Sequence, residues 1–325
     1  MRYQLRYVRV RCADNDTGAN PATVTAVSDP RWPRAADWLA AGAPGQGADL
    51  AVLGVPTFAT SISPTGAHAT PAAVRRALAR LSTWCASRRV DVAALTAWDA
   101  GDVDDPDVPV EGEFRVRARV STVAAKARLV LAVGGDNSMT YPTAAGVFGD
   151  NLSAAGLVTL DAHHDIREGR SNGTPVRDLI EAGLDPARIV QVGIADWANS
   201  KSYADEAVAR GVTIISRREV ATRGIDACLR DAFEVAGAGG AAVYVDLDLD
   251  VCDRSVAPAC PASLPGGLSA AELMQAAYLA GRHPQVKAID VTEVDATRDT
   301  ADERTVRLAA ICLLEAAAGL ALRPG

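Results

Sequence analysis

Short runs of apolar residues recur along the chain and alternate with longer stretches in which apolar residues have helical spacing. The runs are continuously apolar, whereas a strand with one solvated face would alternate apolar and polar residues. They therefore predict strands that are buried on both faces of a sheet. The predicted strands are residues 50–55, 129–133, 157–160, 189–193, 212–215, 243–247 and 286–290, with a weaker one near 90–92.

Helix signals fall between these runs. Pro71 suits the first turn of a helix that runs through Val74, Leu78 and Leu81. Ser269 and Glu272 have the spacing of a capping box, and a last helix is predicted from about 304 to 320. Alternation of strands and helices predicts an α/β fold, in which a mostly parallel sheet of about eight strands lies between two layers of helices. Residues 1–47 are predicted to be an irregular N-terminal region, and residues 48–325 a single α/β domain.

The composition excludes several classes of protein. Lys and Arg number 33 against 40 Asp and Glu, so a net charge of −7 argues against nucleic-acid binding. We expect no membrane span, because the most apolar stretch (308–322) carries Glu315 and is shorter than a spanning helix. The N-terminus does not have the pattern of a signal peptide, and the six cysteines are scattered. Together these features predict a cytoplasmic protein with reduced thiols.

Polar clusters follow three of the predicted strands: GGDNS at 134–138, DAHHD at 161–165 and DLDLDVCD at 246–253. In a parallel sheet the carboxyl ends of the strands meet at one edge, which is where ligands bind. An extended segment would point Asp161, His163 and Asp165 to one side, and Asp248 and Asp250 repeat that spacing. Such carboxylates repel one another in a dry site unless cations neutralise them, and two divalent cations would balance four charges.

Oxygen ligands with one or two imidazoles suit Mn²⁺ better than structural Zn²⁺. The alternative interpretation is that these aspartates are solvated loop residues that cap helices. His164 would point to the opposite face of an extended segment, so we do not expect it to be a ligand.

The three clusters, in this order, resemble the motifs of the ureohydrolase superfamily, which includes arginase, agmatinase and formimidoylglutamase. The resemblance runs from about residue 48 to residue 320 and includes GVP at 54–56 and TVRLAA at 305–310. It implies an arginase-like catalytic domain over residues 48–325 and two Mn²⁺ ions per subunit. It also implies hydrolysis of a C–N bond in a linear amidine, and a homo-oligomer, either a trimer or a hexamer.

The resemblance also implies a ligand set. Asp161 and Asp248 would bridge the two ions, Asp165 would bind metal A, and His163 and Asp250 would bind metal B. The third motif could also be aligned on Asp246, but the downstream Asp253 and residues 266–268 place it on Asp248, Asp250 and Asp253. Asp246 would then support the site from the same side of its strand.

Asn137 departs from the family pattern, because relatives usually have a histidine that binds metal A at this position. We expect its amide oxygen to coordinate as a neutral hard donor, which favours Mn²⁺ or Mg²⁺ and weakens metal A. Two alternatives stay open: Asn137 binds no metal and the site holds one ion, or the chain is a metal-poor, non-catalytic homologue.

The same resemblance assigns catalytic roles to Asp165 and Glu293. Asp165 would orient the nucleophile and pass its proton to the leaving amine. Glu293 would pair with the planar amidinium cation through both carboxylate oxygens.

The loop at 171–177 (SNGTPVR) discriminates between substrates. It lacks the histidine of arginases and resembles formimidoylglutamases, as do residues 193–200. The implied substrate is N-formimidoyl-L-glutamate, which yields L-glutamate and formamide in histidine degradation. Its two carboxylates require cations, for which Arg177, Arg167 and Lys201 are candidates, and Asn172, Thr174 and Glu293 are further candidates for substrate binding. The alternative enzyme is an agmatinase or a guanidino-acid hydrolase that releases urea.

Overall fold

The computed structural model describes residues 29, 31–42 and 47–324. The strands are β1 (Ala48–Val55), β2 (Trp84–Cys85), β3 (Val90–Asp91), β4 (Ala97–Asp102), β5 (Ala127–Gly134), β6 (Gly156–Leu160), β7 (Ile189–Ile194), β8 (Thr213–Ser216), β9 (Val243–Asp248) and β10 (Val286–Thr292). The α-helices are α1 (Ala35–Ala40), α2 (Thr70–Leu78), α3 (Glu111–Ala124), α4 (Thr140–Phe148), α5 (Pro175–Glu181), α6 (Lys201–Arg210), α7 (Arg217–Arg223), α8 (Ile225–Ala236), α9 (Ala270–Arg282) and α10 (Arg304–Ala321).

Eight strands form one parallel sheet in the order β4-β1-β5-β10-β9-β6-β7-β8. Helices cover both faces, and successive residues of a strand enter opposite apolar cores. On β1, Leu50 and Val52 pack into one core, and Ala51 and Leu53 pack into the other. Burial on both faces explains why these strands are continuously apolar, and it confirms the predicted three-layer α/β fold.

Two strand predictions need correction. The weak strand near 90–92 belongs to a separate antiparallel pair, β2 with β3. The eighth strand of the main sheet is instead β4, whose sequence AWDAGD contains two aspartates and a glycine. Because β4 lies at the edge of the sheet, it needs fewer apolar residues than a central strand, and the pattern of apolar runs did not reveal it.

Most of the helices predicted from the sequence are present in the structure. Helix α2 begins at Thr70 but ends at Leu78, before Leu81. Ser269 and Glu272 form the predicted capping box at the start of α9. In the region that we predicted to be irregular, α1 is helical and belongs to a compact unit that spans Pro33–Gly325. The rest of residues 1–47, apart from residues 29, 31–34, 41–42 and 47, lies outside the described residues.

The strand order determines where the loops meet. Strands β9 and β10 come last in the chain but lie between β5 and β6. The loops that follow β5, β6, β9 and β10 therefore meet at the carboxyl edge of four neighbouring strands, where parallel sheets bind their ligands. Within the described part of the chain, every helix is too short or too polar to span a membrane.

Candidate active site

The turn after β5 requires glycine. A Cβ atom on Gly135 would lie 1.8 Å from the carbonyl oxygen of Thr57, so any side chain would collide with backbone. The Gly135 N–H donates to the Val55 carbonyl over 3.0 Å and holds the turn against the end of β1. This close approach places Asn137, which is buried, at the edge of the sheet.

Turns bring the acidic side chains together. We expected residues 161–165 to be extended, and that expectation was wrong: the His163 N–H donates to Asp161 Oδ1 over 2.7 Å, and the segment leaves the strand direction. After β9, the Asp250 N–H likewise donates to Asp248 Oδ1 over 2.8 Å. In each turn an aspartate accepts a backbone hydrogen bond from the residue two positions later, which brings the two side chains to one site.

Two groups of ligand atoms result. Asp161, His163 and Asp250 form one group, and Asp161, Asp165 and Asp248 form the other; within each group the ligand atoms lie within 4.8 Å of one another. Asp161 belongs to both groups, and its Oδ2 is buried without a hydrogen-bond partner among the described residues. Carboxylates with one imidazole are a donor set that suits Mn²⁺, so these residues fit two divalent ions that share Asp161.

Burial and mutual repulsion shift the pKa values of these groups. Burial, with the nearby charge of Asp250, raises the pKa of Asp161 to about 6. Burial also raises the pKa values of Asp165 and Asp248 well above their usual range. Burial would also raise the pKa of Asp250, but the charge of His163 outweighs it and lowers that pKa. Burial opposes charge on His163, yet Asp250 and Asp161 raise its pKa to about 12. Divalent cations would replace the protons that these groups otherwise hold.

Asn137 does not present its oxygen to these ligand groups. Its Nδ2 donates to Asp165 Oδ2 over 2.7 Å, and its Oδ1 accepts from Thr140 Oγ1 over 2.6 Å. An amide nitrogen that donates a hydrogen bond is not a metal ligand. In this orientation Asn137 braces Asp165. This geometry fits the alternative in which Asn137 binds no metal rather than the one in which its oxygen coordinates metal A.

Glu293 lies beside the same groups, directly after β10. Its backbone has a φ of 65°, in the left-handed region, and Asp165 shares this feature with a φ of 51°. Non-glycine residues in this region cluster at functional sites. Burial raises the pKa of Glu293 to about 8, with further repulsion from Asp136 and Asp250.

These pKa shifts predict that the metal-stripped protein loses thermal stability as the pH rises from roughly 4 to roughly 8. A carboxyl group whose pKa is raised by folding stabilises the folded state below its unfolded pKa, and this contribution is lost as the pH rises through the folded pKa. For Asp161 the interval runs from 3.8 to about 6, and for Glu293 from 4.5 to about 8. Manganese should remove most of the loss. Scanning calorimetry with Mn²⁺ and with EDTA measures both slopes, and equal slopes would contradict the prediction.

A cavity of about 130 Å³ opens onto the ligand groups. It is lined by Ile62, Ser63, His163, Asp165, Arg167, Asn172, Asp248, Asp250, Ala262 and Glu293. The guanidinium of Arg167 has neither an ion pair nor a hydrogen bond with any described residue. A larger cavity of about 580 Å³ lies beside α8 and α9, and none of these carboxylates borders it.

Arg177 is not among the residues that line the site cavity. Its guanidinium donates to the Ile166 and Arg167 carbonyls and pairs with Glu206 over 3.0 Å. The structure therefore leaves Arg167, rather than Arg177, available to a substrate.

Thr174 and Lys201 also lie away from the cavity lining. Thr174 is buried, and its hydroxyl contacts the Ser171 carbonyl and Asp178 Oδ2, each over 2.9 Å, at the start of α5. Lys201 is exposed and pairs with Asp205. These two residues support local structure, in contrast to the binding role expected for Thr174.

Sequence reasoning singled out residues 193–200 as a resemblance but missed that Asn199 within them holds the metal-ligand loop. Asn199 donates to the Ala162 carbonyl over 2.9 Å and accepts from the His164 N–H over 3.0 Å. His164 is outside both ligand groups, as expected, and its Nδ1 lies 2.7 Å from Gln191 Oε1. Ile62 and Ser63 were missed as well, because the loop after β1 carries no charged residue that would mark it.

Known proteins resemble this chain in sequence and in fold. The chain is 33% identical over 271 residues to the formimidoylglutamase of Halalkalibacterium halodurans, covering 81% of this chain and 84% of that protein. The crystal structure of formimidoylglutamase from Bacillus subtilis superposes with a TM-score of 0.86 at 30% identity, over 94% of this chain and 97% of that one. Trypanosoma cruzi formiminoglutamase, solved with Mn²⁺, has a TM-score of 0.82 at 28% identity, over 90% of this chain and all of that one. The arginase family profile matches residues 48–319, and the chain belongs to the arginase family.

Proposed function

We propose that this protein hydrolyses N-formimidoyl-L-glutamate to L-glutamate and formamide with two manganese ions. One observation carries the proposal: two ligand groups that share Asp161 open onto a cavity with a buried acid, Glu293, and an unpaired cation, Arg167. A substrate with a cationic amidinium and two carboxylates matches that pairing of charges. The formimidoylglutamases among the relatives support the same substrate.

The residues that would hold the ions are Asp161, Asp165 and Asp248 for metal A, and Asp161, His163 and Asp250 for metal B. The family resemblance adds Asp248 to the second set. When bound, the ions supply a water molecule whose pKa is low enough for attack near neutral pH. Asn137 would act on metal A through Asp165, because its Nδ2 holds Asp165 Oδ2.

The chain's own groups would act on the substrate as follows. Glu293 binds the amidinium, whose positive charge favours the ionised carboxylate. Asp165 orients the nucleophile and passes a proton to the glutamate nitrogen as the C–N bond breaks. Both carboxylates are at least 90% buried, so bulk water does not screen these interactions.

Arg167 would bind a substrate carboxylate at the mouth of the cavity. This assignment favours an anionic substrate over agmatine, because the cationic tail of agmatine would be repelled there.

Replacing Arg167 by alanine is expected to raise KM for N-formimidoyl-L-glutamate about 10- to 100-fold while kcat changes little, since the carboxylate is remote from the reacting carbon. The matched control is Arg170→Ala, because Arg170 lies on the same loop but pairs with Glu113. Steady-state kinetics separates KM from kcat. An unchanged KM in the Arg167→Ala variant would contradict the assignment.

A substrate panel tests the proposed function. Manganese-loaded protein is incubated separately with N-formimidoyl-L-glutamate, agmatine and L-arginine, and glutamate, formamide and urea are quantified. We expect formamide from the first compound and little urea from the others. Predominant urea release would favour the agmatinase or guanidino-acid alternative. No turnover, with no bound manganese, would favour a non-catalytic homologue.

A further inference from the structure

Asn172 is held at both ends of its amide group. Its Oδ1 accepts from the Ile62 N–H over 2.9 Å, and its Nδ2 donates to Glu293 Oε1 over 2.9 Å. A backbone N–H can only donate, so the oxygen of the amide must face Ile62 and the nitrogen must face Glu293. The contacts therefore determine which way the amide is turned.

Glu293 Oε1 has a second donor as well. The Asn137 N–H reaches it over 2.7 Å. A carboxylate oxygen has two lone pairs, and these two donors occupy both of them. The pairing of an amidinium with both oxygens of Glu293, which we expected from the sequence, is thus not open to a substrate. Only Oε2 remains to accept from it.

Because only Oε2 of Glu293 is free, the site distinguishes a formamidinium from a guanidinium. The reacting carbon of a formamidinium carries one hydrogen, two nitrogens and no third N–H group. A guanidinium has an NH₂ group in place of that hydrogen. In this buried site that NH₂ would find Oε1 occupied and would meet the N–H donor of Asn172, and an unpaired buried donor is costly.

We propose that Asn172 makes the site selective for formamidinium over guanidinium substrates, by occupying Glu293 Oε1 and turning a donor toward the reacting carbon. Asn172 acts in two ways in this arrangement: it positions Glu293, and its own N–H faces the substrate. The inference rests on the proposed function, because it takes the amidine of the substrate to lie against Glu293.

Two compounds that share a leaving group test the selectivity. N-formimidoyl-L-glutamate and N-amidino-L-glutamate differ only in the group on the reacting carbon, H in the first and NH₂ in the second. In both, the same C–N bond breaks: water supplies the oxygen of formamide or urea, and both of its protons go to the glutamate nitrogen, which leaves as an ammonium group. One glutamate assay therefore gives kcat/KM for both compounds.

The decisive variant is Asn172→Asp. It is isosteric, keeps an acceptor for the Ile62 N–H, and replaces the donor beside Glu293 with an acceptor. Asn172→Ala removes the donor without adding charge, so it tests the same point if the first variant does not fold. The matched control is Asn151→Ala, because Asn151 is exposed and lies outside the site.

For the wild type we expect at least about a tenfold preference for the formimidoyl compound. We expect this ratio to fall about tenfold or more in Asn172→Asp, to fall in Asn172→Ala, and to stay constant in the control. A ratio that both Asn172 variants leave unchanged would overturn the inference while the proposed function stands. If the wild type released glutamate from neither compound, the proposed function would fail. The inference would then be decided by calorimetry, which gives the affinities of both compounds for the manganese-loaded wild type and for Asn172→Asp. The ratio of the two affinities would replace the ratio of kcat/KM values.

Discussion

Replacing Asp161 by alanine is expected to remove bound manganese and to lower kcat/KM on N-formimidoyl-L-glutamate by about 10³-fold or more. Loss of an outer partner of a metal ligand typically costs about 10- to 100-fold, and loss of a ligand should cost more. Asp161 is the one residue common to both ligand groups found among the described residues, so its removal affects both ions. Its Oδ2, buried without a partner, has no other evident role.

Metal analysis after dialysis and steady-state kinetics measure the two effects of the Asp161→Ala variant. The matched control is Asp104→Ala, since Asp104 is exposed and belongs to neither ligand group. Removing a buried carboxyl whose pKa is raised should not unfold the protein, because it also relieves repulsion with Asp250. Full manganese content with normal turnover would contradict the assignment of Asp161 as a shared ligand.

Replacing Glu293 by glutamine is expected to lower kcat/KM by about 10²- to 10³-fold while manganese content stays unchanged. Glutamine has nearly the same shape but no charge with which to stabilise a cationic substrate. Glu293 is in neither ligand group, which separates this variant from Asp161→Ala.

The control for the Glu293→Gln variant is Glu234→Gln, the same change at an exposed position. Atomic absorption and kinetics on the same preparations give both quantities. Loss of manganese in step with loss of activity would show that Glu293 supports the metal centre, and would contradict its assignment to the amidinium.

The central strands were predictable because burial on both faces imposes a continuous apolar run. The run at 129–133 became β5, extended at each end. The edge strand β4 escaped detection because only part of it is buried, and a charged residue costs little there. Apolar runs therefore identify the middle of such a sheet more reliably than its margins.

The metal-binding part of the site was predictable, because its ligands are recognisable residue types that lie within short segments of the sequence. The aspartates after β6 and β9 are close in sequence, and turns bring them together even though the expected extended geometry was wrong. The choice between Arg167 and Arg177 was different in kind. It depends on Glu206, a partner 29 residues from Arg177, which no local pattern reveals.

The orientation of amide groups was likewise outside the reach of sequence reasoning. An asparagine has an acceptor and a donor on one side chain, and its neighbours decide which of them faces the site. The Oδ1 of Asn137 accepts a hydrogen bond from the Thr140 hydroxyl, and the Oδ1 of Asn172 accepts one from the Ile62 N–H. Both asparagines therefore present a nitrogen where the sequence suggested a ligand or a substrate contact.

The most direct test of the proposed reaction is to follow which carbon–nitrogen bond breaks. N-formimidoyl-L-glutamate labelled with ¹³C at the formimidoyl carbon is incubated with manganese-loaded protein, and the products are followed by ¹³C NMR. We expect labelled formamide to appear together with an equal amount of L-glutamate. Labelled N-formyl-L-glutamate with ammonia, or no change in the spectrum of a fully manganese-loaded sample, would contradict the proposed hydrolysis.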